Sequence, residues 1–336
     1  RLDKAAVEVA EWFGRKGFRT CVLKGQGNAL LYPPGMERTP GDIDLWVDGG
    51  DRKVVSFVRS LSPDEKVCYH HIGFPEYNGV EVEVHFRPGF LFCFRHNRRL
   101  QGYYERVMDE QFAHRVKLGE QGDVAVPKAE FNLIFQLTHI FTHLMNEGIG
   151  LRQLLDYFFL LKNTNFIGNT DGVSGNTNGG AFGVNTNCSD NTDRIGGNVD
   201  GDGFLLNTDF TDNTDRIGGN VDGVDRRLLQ DELRRLGLWE FAGAVMYIMK
   251  EIFGLEDNRL IVPPDVKRGR LVLKEALEAG NFGQYDKRNW FGHSALGHNL
   301  QRLYRDMRLV RYFPEEALSE PFFRIWHFFW RKRIVR

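Results

Sequence analysis

The residues with most chemical potential sit in the segment GDIDLWV, which places Asp42 and Asp44 two positions apart. Strict alternation of polar and apolar residues predicts a strand, so these two carboxylates share one face while Ile43, Leu45 and Val47 take the other. VEVEVHF at 80–86 has the same design, with Glu81, Glu83 and His85 on one face. If the two strands are neighbours, three or four carboxylates converge. Like charges that close raise one another's pKa unless a cation neutralises them. Hard oxygen ligation of this kind suits Mg²⁺ or Mn²⁺ bound jointly with phosphates.

Upstream, LKGQGN supplies Gly25 and Gly27 in a turn between a strand and a helix start, where backbone N–H groups can approach a phosphate. Lys24 and Arg38 are the candidate side-chain contacts to a triphosphate, Arg by its bidentate fork. The bland alternative for the acid pair is a solvated strand edge, and Glu81 is read as the solvated neighbour of Glu83.

The order LKG, Tyr32, Arg38, GDIDLWV and then EVH at 83–85 resembles the uncharacterised bacterial nucleotidyltransferase family within the DNA polymerase beta-like superfamily. Residue by residue, Gly25 and Gln26 match that superfamily's Gly-Ser or Gly-Gly turn. Asp42 and Asp44 match its metal-binding pair, and Glu83 its third carboxylate. The H-x-x-x-H helix, GIGLRQLLDY and the later GNFG are also similar to family features. The resemblance implies a metal-dependent enzyme that moves a nucleoside monophosphate from an NTP to an acceptor hydroxyl and releases pyrophosphate. The other reading is a catalytically silent nucleotide-binding or interaction module of the same fold.

Positioning these groups requires an α+β chain. Residues 3–16 have helical periodicity, followed by a strand at 20–24, a small helix near 26–32, a strand over GDIDLWV at 41–47, a helix at about 51–61, and strands near 66–72 and 80–86. A mixed-sheet nucleotidyltransferase domain is therefore expected over 1–120. From Pro127 the pattern turns helical: 128–145, 150–162, 225–236, 238–253, 266–279 and 293–312, giving a helical domain over 121–336. The active site belongs in the cleft between the two.

Residues 163–223 fit neither domain. The dodecapeptide DNTDRIGGNVDG stands at 190–201 and again at 212–223, in a context of Asn, Thr, Asp and Gly that cannot bury enough apolar area to offset its ordering entropy. A disordered low-complexity insert is expected. Asn198, Asp200, Asp202 and Asp209 match calcium-loop positions, but a duplicated linker is the preferred reading.

His139 and His143 have zinc-ligand spacing, yet HIFTH lacks the Glu of a catalytic zinc helix, so core or interdomain histidines are expected. Arg152 and Asp156 have the spacing of an i, i+4 pair on one helix. The C-terminal PFFRIWHFFWRKRIVR is expected to be a helix packing on the bundle, with weak contact to an anionic membrane surface as the alternative.

Lys and Arg number 44 against 45 for Asp and Glu, so no overall field favours nucleic acid. Four scattered cysteines, Cys21, Cys68, Cys93 and Cys188, form no C-x-x-C pair and no disulfide-scaffold density. No run of 18 apolar residues appears and RLDKAAVEVAEWF lacks the uninterrupted apolar stretch of a signal peptide, so a cytoplasmic location is expected.

Overall fold

The computed structural model describes residues 1–38, 41–168, 223–280, 283, 286–288 and 295–335. The calcium-type spacing at 198–209, both copies of the dodecapeptide apart from Gly223, and half of GNFG lie outside the described residues.

The chain begins α1 (Leu2–Arg15), β1 (Thr20–Leu23), α2 (Gly25–Ala29), β2 (Ile43–Val47), α3 (Gly50–Leu61), β3 (His71–Phe74) and β4 (Val82–His85). The four strands form one mixed sheet in the order β1-β2-β4-β3. β2 runs antiparallel to β1 and parallel to β4, and β3 closes the far edge antiparallel to β4. The strand expected near 66–72 starts later, at His71. Before it, only Val67 pairs, as a single bridge to Ile72, because Cys68, Tyr69 and His70 make the reversal.

One face of the sheet is aliphatic: Val22, Ile43, Leu45, Val47, Val82 and Val84 pack with α1 and α3. The other face carries Cys21, Leu23 and Trp46, which join the helical core. Alternation thus puts both faces to use, and the face bearing the acids continues into Trp46. Its indole stacks on Phe131 at 5.6 Å and meets Phe112 at 4.8 Å.

Two connecting elements were not expected from the sequence. α4 (Phe94–Ala113) is strongly polar, and the hairpin of β5 (Arg115–Lys117) and β6 (Asp123–Ala125) is short. The hairpin buries Val116, Leu118 and Val124 in the same cluster as α1, so this packing continues past residue 120.

The helical part follows the periodicity closely: α5 (Ala129–Asn146), α6 (Leu151–Asn163), α7 (Arg226–Leu236), α8 (Trp239–Glu251), α9 (Val266–Ala279) and α10 (Ala295–Leu309). Asp225 caps α7 by accepting from the backbone N–H groups of Arg227 and Leu228, and Gly237 ends that helix at φ 73°, a conformation that favours glycine. β7 (Phe166–Ile167) and β8 (Val224–Asp225) pair in parallel, so the chain departs and returns at adjacent points.

α11 (Pro314–Ile334) starts with Pro at its first position. Phe323 packs inward, and Arg87 lies over the rings of Tyr69, Phe86 and Trp330, joining this helix to the sheet. The expected packing involves one side only. Leu318, Phe322, Ile325 and Phe329 remain exposed. Among the described residues, no helix is long and apolar enough to cross a membrane.

Trp46 links the acidic face to α5. Trp46→Ala should lower unfolding stability by about 3–5 kcal/mol, because the cavity left by a buried indole adds to the lost transfer energy. Urea unfolding checks this; a loss under about 1 kcal/mol would show that the sheet and helices are not joined through this side chain.

Candidate active site

Strand register builds the site. Asp44 lies opposite Glu83, and Trp46 opposite His85, in the parallel β2–β4 pair. On the other side Leu23 of β1 lies opposite Asp44, so Lys24, one residue beyond the strand, arrives beside the same carboxylate. Lys24 Nζ is 3.0 Å from Asp44 Oδ1, and His85 Nε2 is 3.0 Å from that oxygen. Glu83 Oε2 is 3.4 Å from both His85 Nε2 and His71 Nδ1. Lys24 Nζ also meets His139 Nε2 of α5 at 2.6 Å, which ties the sheet to the helical part.

Lys24 adopts φ 50° and Gly25 φ 35°, so the turn bends sharply as β1 ends. A positive φ at a lysine stores strain that the surrounding contacts must hold. A side-chain carbon at Gly25 would lie 3.7 Å from the Asp42 carbonyl oxygen, an ordinary contact, so the positive φ rather than crowding is what favours glycine here.

These carboxylates differ in their electrostatics. Burial opposes ionisation of Asp44, but Lys24 and His85 overcome it and hold the carboxyl far below its ordinary range. Asp42 is pushed up to about 6, first by the charge of Asp44 and then by burial. Burial also raises Glu83, yet the hydrogen bond to His85 and the nearness of His71 hold it below its ordinary value. Burial alone would lower His85; its bonds to Asp44 and Glu83 raise it to about 9.

These groups line a cavity of about 480 Å³, a size in the range of small-molecule sites. Lys24, Gly25, Arg38, Asp42, Asp44 and Glu83 all reach its wall. Gln26 does not: its side chain is buried, and its Oε1 has no hydrogen-bond partner among the described residues. Arg38 reaches the wall with its guanidinium engaged. Its Nε and Nη2 each donate to Asp156 at 2.8 Å, and Tyr32 Oη donates to the same carboxylate at 2.7 Å. Asp156 therefore clamps the loop before Asp42 to α6 rather than simply pairing along its own helix. Glu81 is exposed, as the neighbour of Glu83 was read to be.

Histidines are the part that sequence reasoning undervalued. His70, His71 and His85 gather with ring centroids 4.4–5.3 Å apart. His139 and His143, expected as core or interdomain residues, line the cavity from α5 with centroids 4.3 Å apart. The sequence signal was present in His85 sharing the face of Glu83, and in HIFTH facing one way. Only tertiary packing brings His70 and His71 from the neighbouring strand edge. The cavity's far side comes from Arg302, Glu320, Phe323, Arg324 and His327 of α10 and α11.

A mixed sheet whose two central strands present in-register acids to a helix-walled cavity defines an α+β protein with a cleft lined by carboxylates, histidines and Lys24. The chain belongs to the uncharacterised nucleotidyltransferase family, whose family model matches residues 1–171, just over half of it. No curated protein and no solved structure matches the chain.

The raised His85 has a measurable consequence. A group whose pKa rises on folding adds stability that is fully present below its ordinary value of 6.5 and is lost as pH climbs through about 9. In metal-free buffer the melting temperature should fall across that window, and His85→Gln should flatten the fall. An equal slope in wild type and variant would contradict the His85–Asp44–Glu83 pairing.

Proposed function

We propose that the protein is a metal-dependent nucleotidyltransferase that moves a nucleoside monophosphate from an NTP to an acceptor hydroxyl, with release of pyrophosphate. The observation that carries this reading is the in-register pairing of Asp44 with Glu83 in the wall of a cavity that also holds Asp42 and Lys24. Family membership supports the reaction class.

The donor set fits a divalent cation. Asp44, Glu83 and His85 each offer a ligand atom, all within 4.8 Å of one another. The imidazole makes the set less purely oxygen than the acids alone suggest, which suits Mn²⁺ better than Mg²⁺. Asp42 adds a further carboxylate at the same wall. An ion held there would supply charge neutralisation for the triphosphate and for the oxygens that gain charge in the displacement.

The chain's own groups orient the reactants. The acceptor oxygen attacks the α-phosphorus, and the bond to the bridging oxygen breaks with its electron pair leaving on pyrophosphate. The acceptor's proton passes to a carboxylate of this face, with Glu83 suitably placed on β4. Lys24, held between Asp44 and His139, is positioned to receive triphosphate oxygens, and Gly25 leaves room for phosphate beside the turn. Arg38 acts through the Asp156 clamp to fix the loop that leads into Asp42. As in phosphoryl transfer generally, position and charge are the protein's contribution.

The test is incubation with each of the four labelled NTPs plus Mg²⁺ or Mn²⁺, with and without cell extract, following pyrophosphate release and label transfer. Asp42→Asn with Asp44→Asn should reduce both on the order of 100-fold or more, as expected on losing charged groups that act on the transition state. Wild-type behaviour in that double variant would end the enzymatic reading. Metal-dependent NTP binding without turnover in the native chain would favour a silent module.

A further inference from the structure

Away from the cavity's acidic face, a second set of metal-ligating side chains meets where α11 crosses the start of α4. Cys93 immediately precedes α4 and His96 lies in its first turn, a C-x-x-H spacing. Glu315 and Glu316 enter from the first turn of α11. Cys93, His96 and Glu316 each offer one ligand atom, all within 4.8 Å of one another. Cys93 is a free thiol.

His96 is the centre of the group. It is buried, with its Nδ1 2.9 Å from Glu316 Oε1 and its Nε2 3.0 Å from Glu315 Oε2. A neutral imidazole has a single N–H and can donate to only one carboxylate, so the other side calls for a cation, a second proton or a metal ion. The two sides are not equivalent. The Glu316 side is buried and also holds the thiol, whereas Glu315 is half exposed and paired with Arg95 at 2.5 Å. Glu316 divides its oxygens: Oε2 accepts from the backbone N–H groups of Phe92 at 2.6 Å and Cys93 at 3.0 Å, which leaves Oε1 facing His96. The ring is fixed in place, because it lies so close over Gly237 that a side chain there would collide with it.

We propose that Cys93 Sγ, His96 Nδ1 and Glu316 Oε1 bind a Zn²⁺ ion, with Glu315 accepting from His96 Nε2 and orienting the ring. Thiolate, imidazole and carboxylate together are zinc ligands, and three protein ligands leave a fourth position for water. Zinc–ligand bonds of about 2.0–2.3 Å put tetrahedral donors about 3.3–3.8 Å apart, so the His96 Nδ1–Glu316 Oε1 pair, now 2.9 Å apart, opens slightly to admit the ion, and no pair of donors, all within 4.8 Å, needs more than about an ångström of side-chain movement. A carboxylate on the distal nitrogen of a ligating histidine is the usual outer partner of such sites. The ion would fasten α11, whose Glu320, Phe323, Arg324 and His327 wall the cavity, to the head of α4. This assignment stands independently of the nucleotidyl-transfer reading.

The experiment uses the full chain loaded with Co²⁺ in place of zinc, alongside zinc content by elemental analysis. A thiolate ligand gives a near-ultraviolet sulfur-to-cobalt charge-transfer band that oxygen and nitrogen ligands do not. Wild type should show this band and so should Cys68→Ser, which removes the thiol beside the other candidate site. Cys93→Ser should lose the band and one equivalent of zinc. Glu315→Gln should keep the band but weaken zinc binding roughly 10–100-fold, as outer-partner changes do. Circular dichroism of Cys93→Ser checks that the variant is folded. Absence of the band in wild type, or its persistence in folded Cys93→Ser, would overturn the proposal.

Discussion

Asp44 is a carboxylate almost completely removed from water, and it stays ionised only because Lys24 and His85 reach the same oxygen. Taking either cation away would leave a buried charge without its partner, a costly arrangement in a protein interior. Much of the architecture follows from meeting this demand. The antiparallel β1–β2 pairing delivers Lys24, the parallel β2–β4 pairing delivers His85 and Glu83, and α5 closes the set by placing His139 against Lys24. The helical part is thus a structural member of the site, not merely a cover over it.

The acidic face was legible because the two-residue period of a strand is unambiguous: Asp42, Asp44, Glu83 and His85 can be assigned to faces without knowing the fold. The long helices were legible for the same kind of reason, from α5 through α10. What escaped was anything set by pairing between distant elements. Nothing in CYHHIGF says that β3 begins only at His71, or that His70 and His71 then stand beside His85. α4 hid behind a nearly continuous polar surface, FRHNRRLQGYYER, which reads as solvated chain until Leu100, Tyr103 and Tyr104 are seen buried. Asp156 looked like half of a helical pair with Arg152, yet it serves Tyr32 and Arg38, 124 and 118 residues away. The turn was recognised through its glycines, but burial removed Gln26 from the cavity wall.

The family match ends at residue 171, while part of the cavity wall belongs to α10 and α11 well beyond it. The matched portion contains the carboxylates, Lys24 and the glycine turn. The later helices bring Arg302, Arg324, His327 and Phe323 to the same cavity. Glu316, the third residue of α11, joins that helix to the start of α4 through Phe92 and His96.

In the proposed enzyme, the register of β2 against β4 makes a cation site for nucleotide at Asp44 and Glu83. This site is tested most directly by anomalous diffraction from crystals grown with Mn²⁺ and a nonhydrolysable NTP. A manganese peak bridging the Asp44 and Glu83 carboxylates, with triphosphate density between them and Lys24, is the expected result. Nucleotide bound elsewhere, or no manganese at these two side chains, would contradict the account.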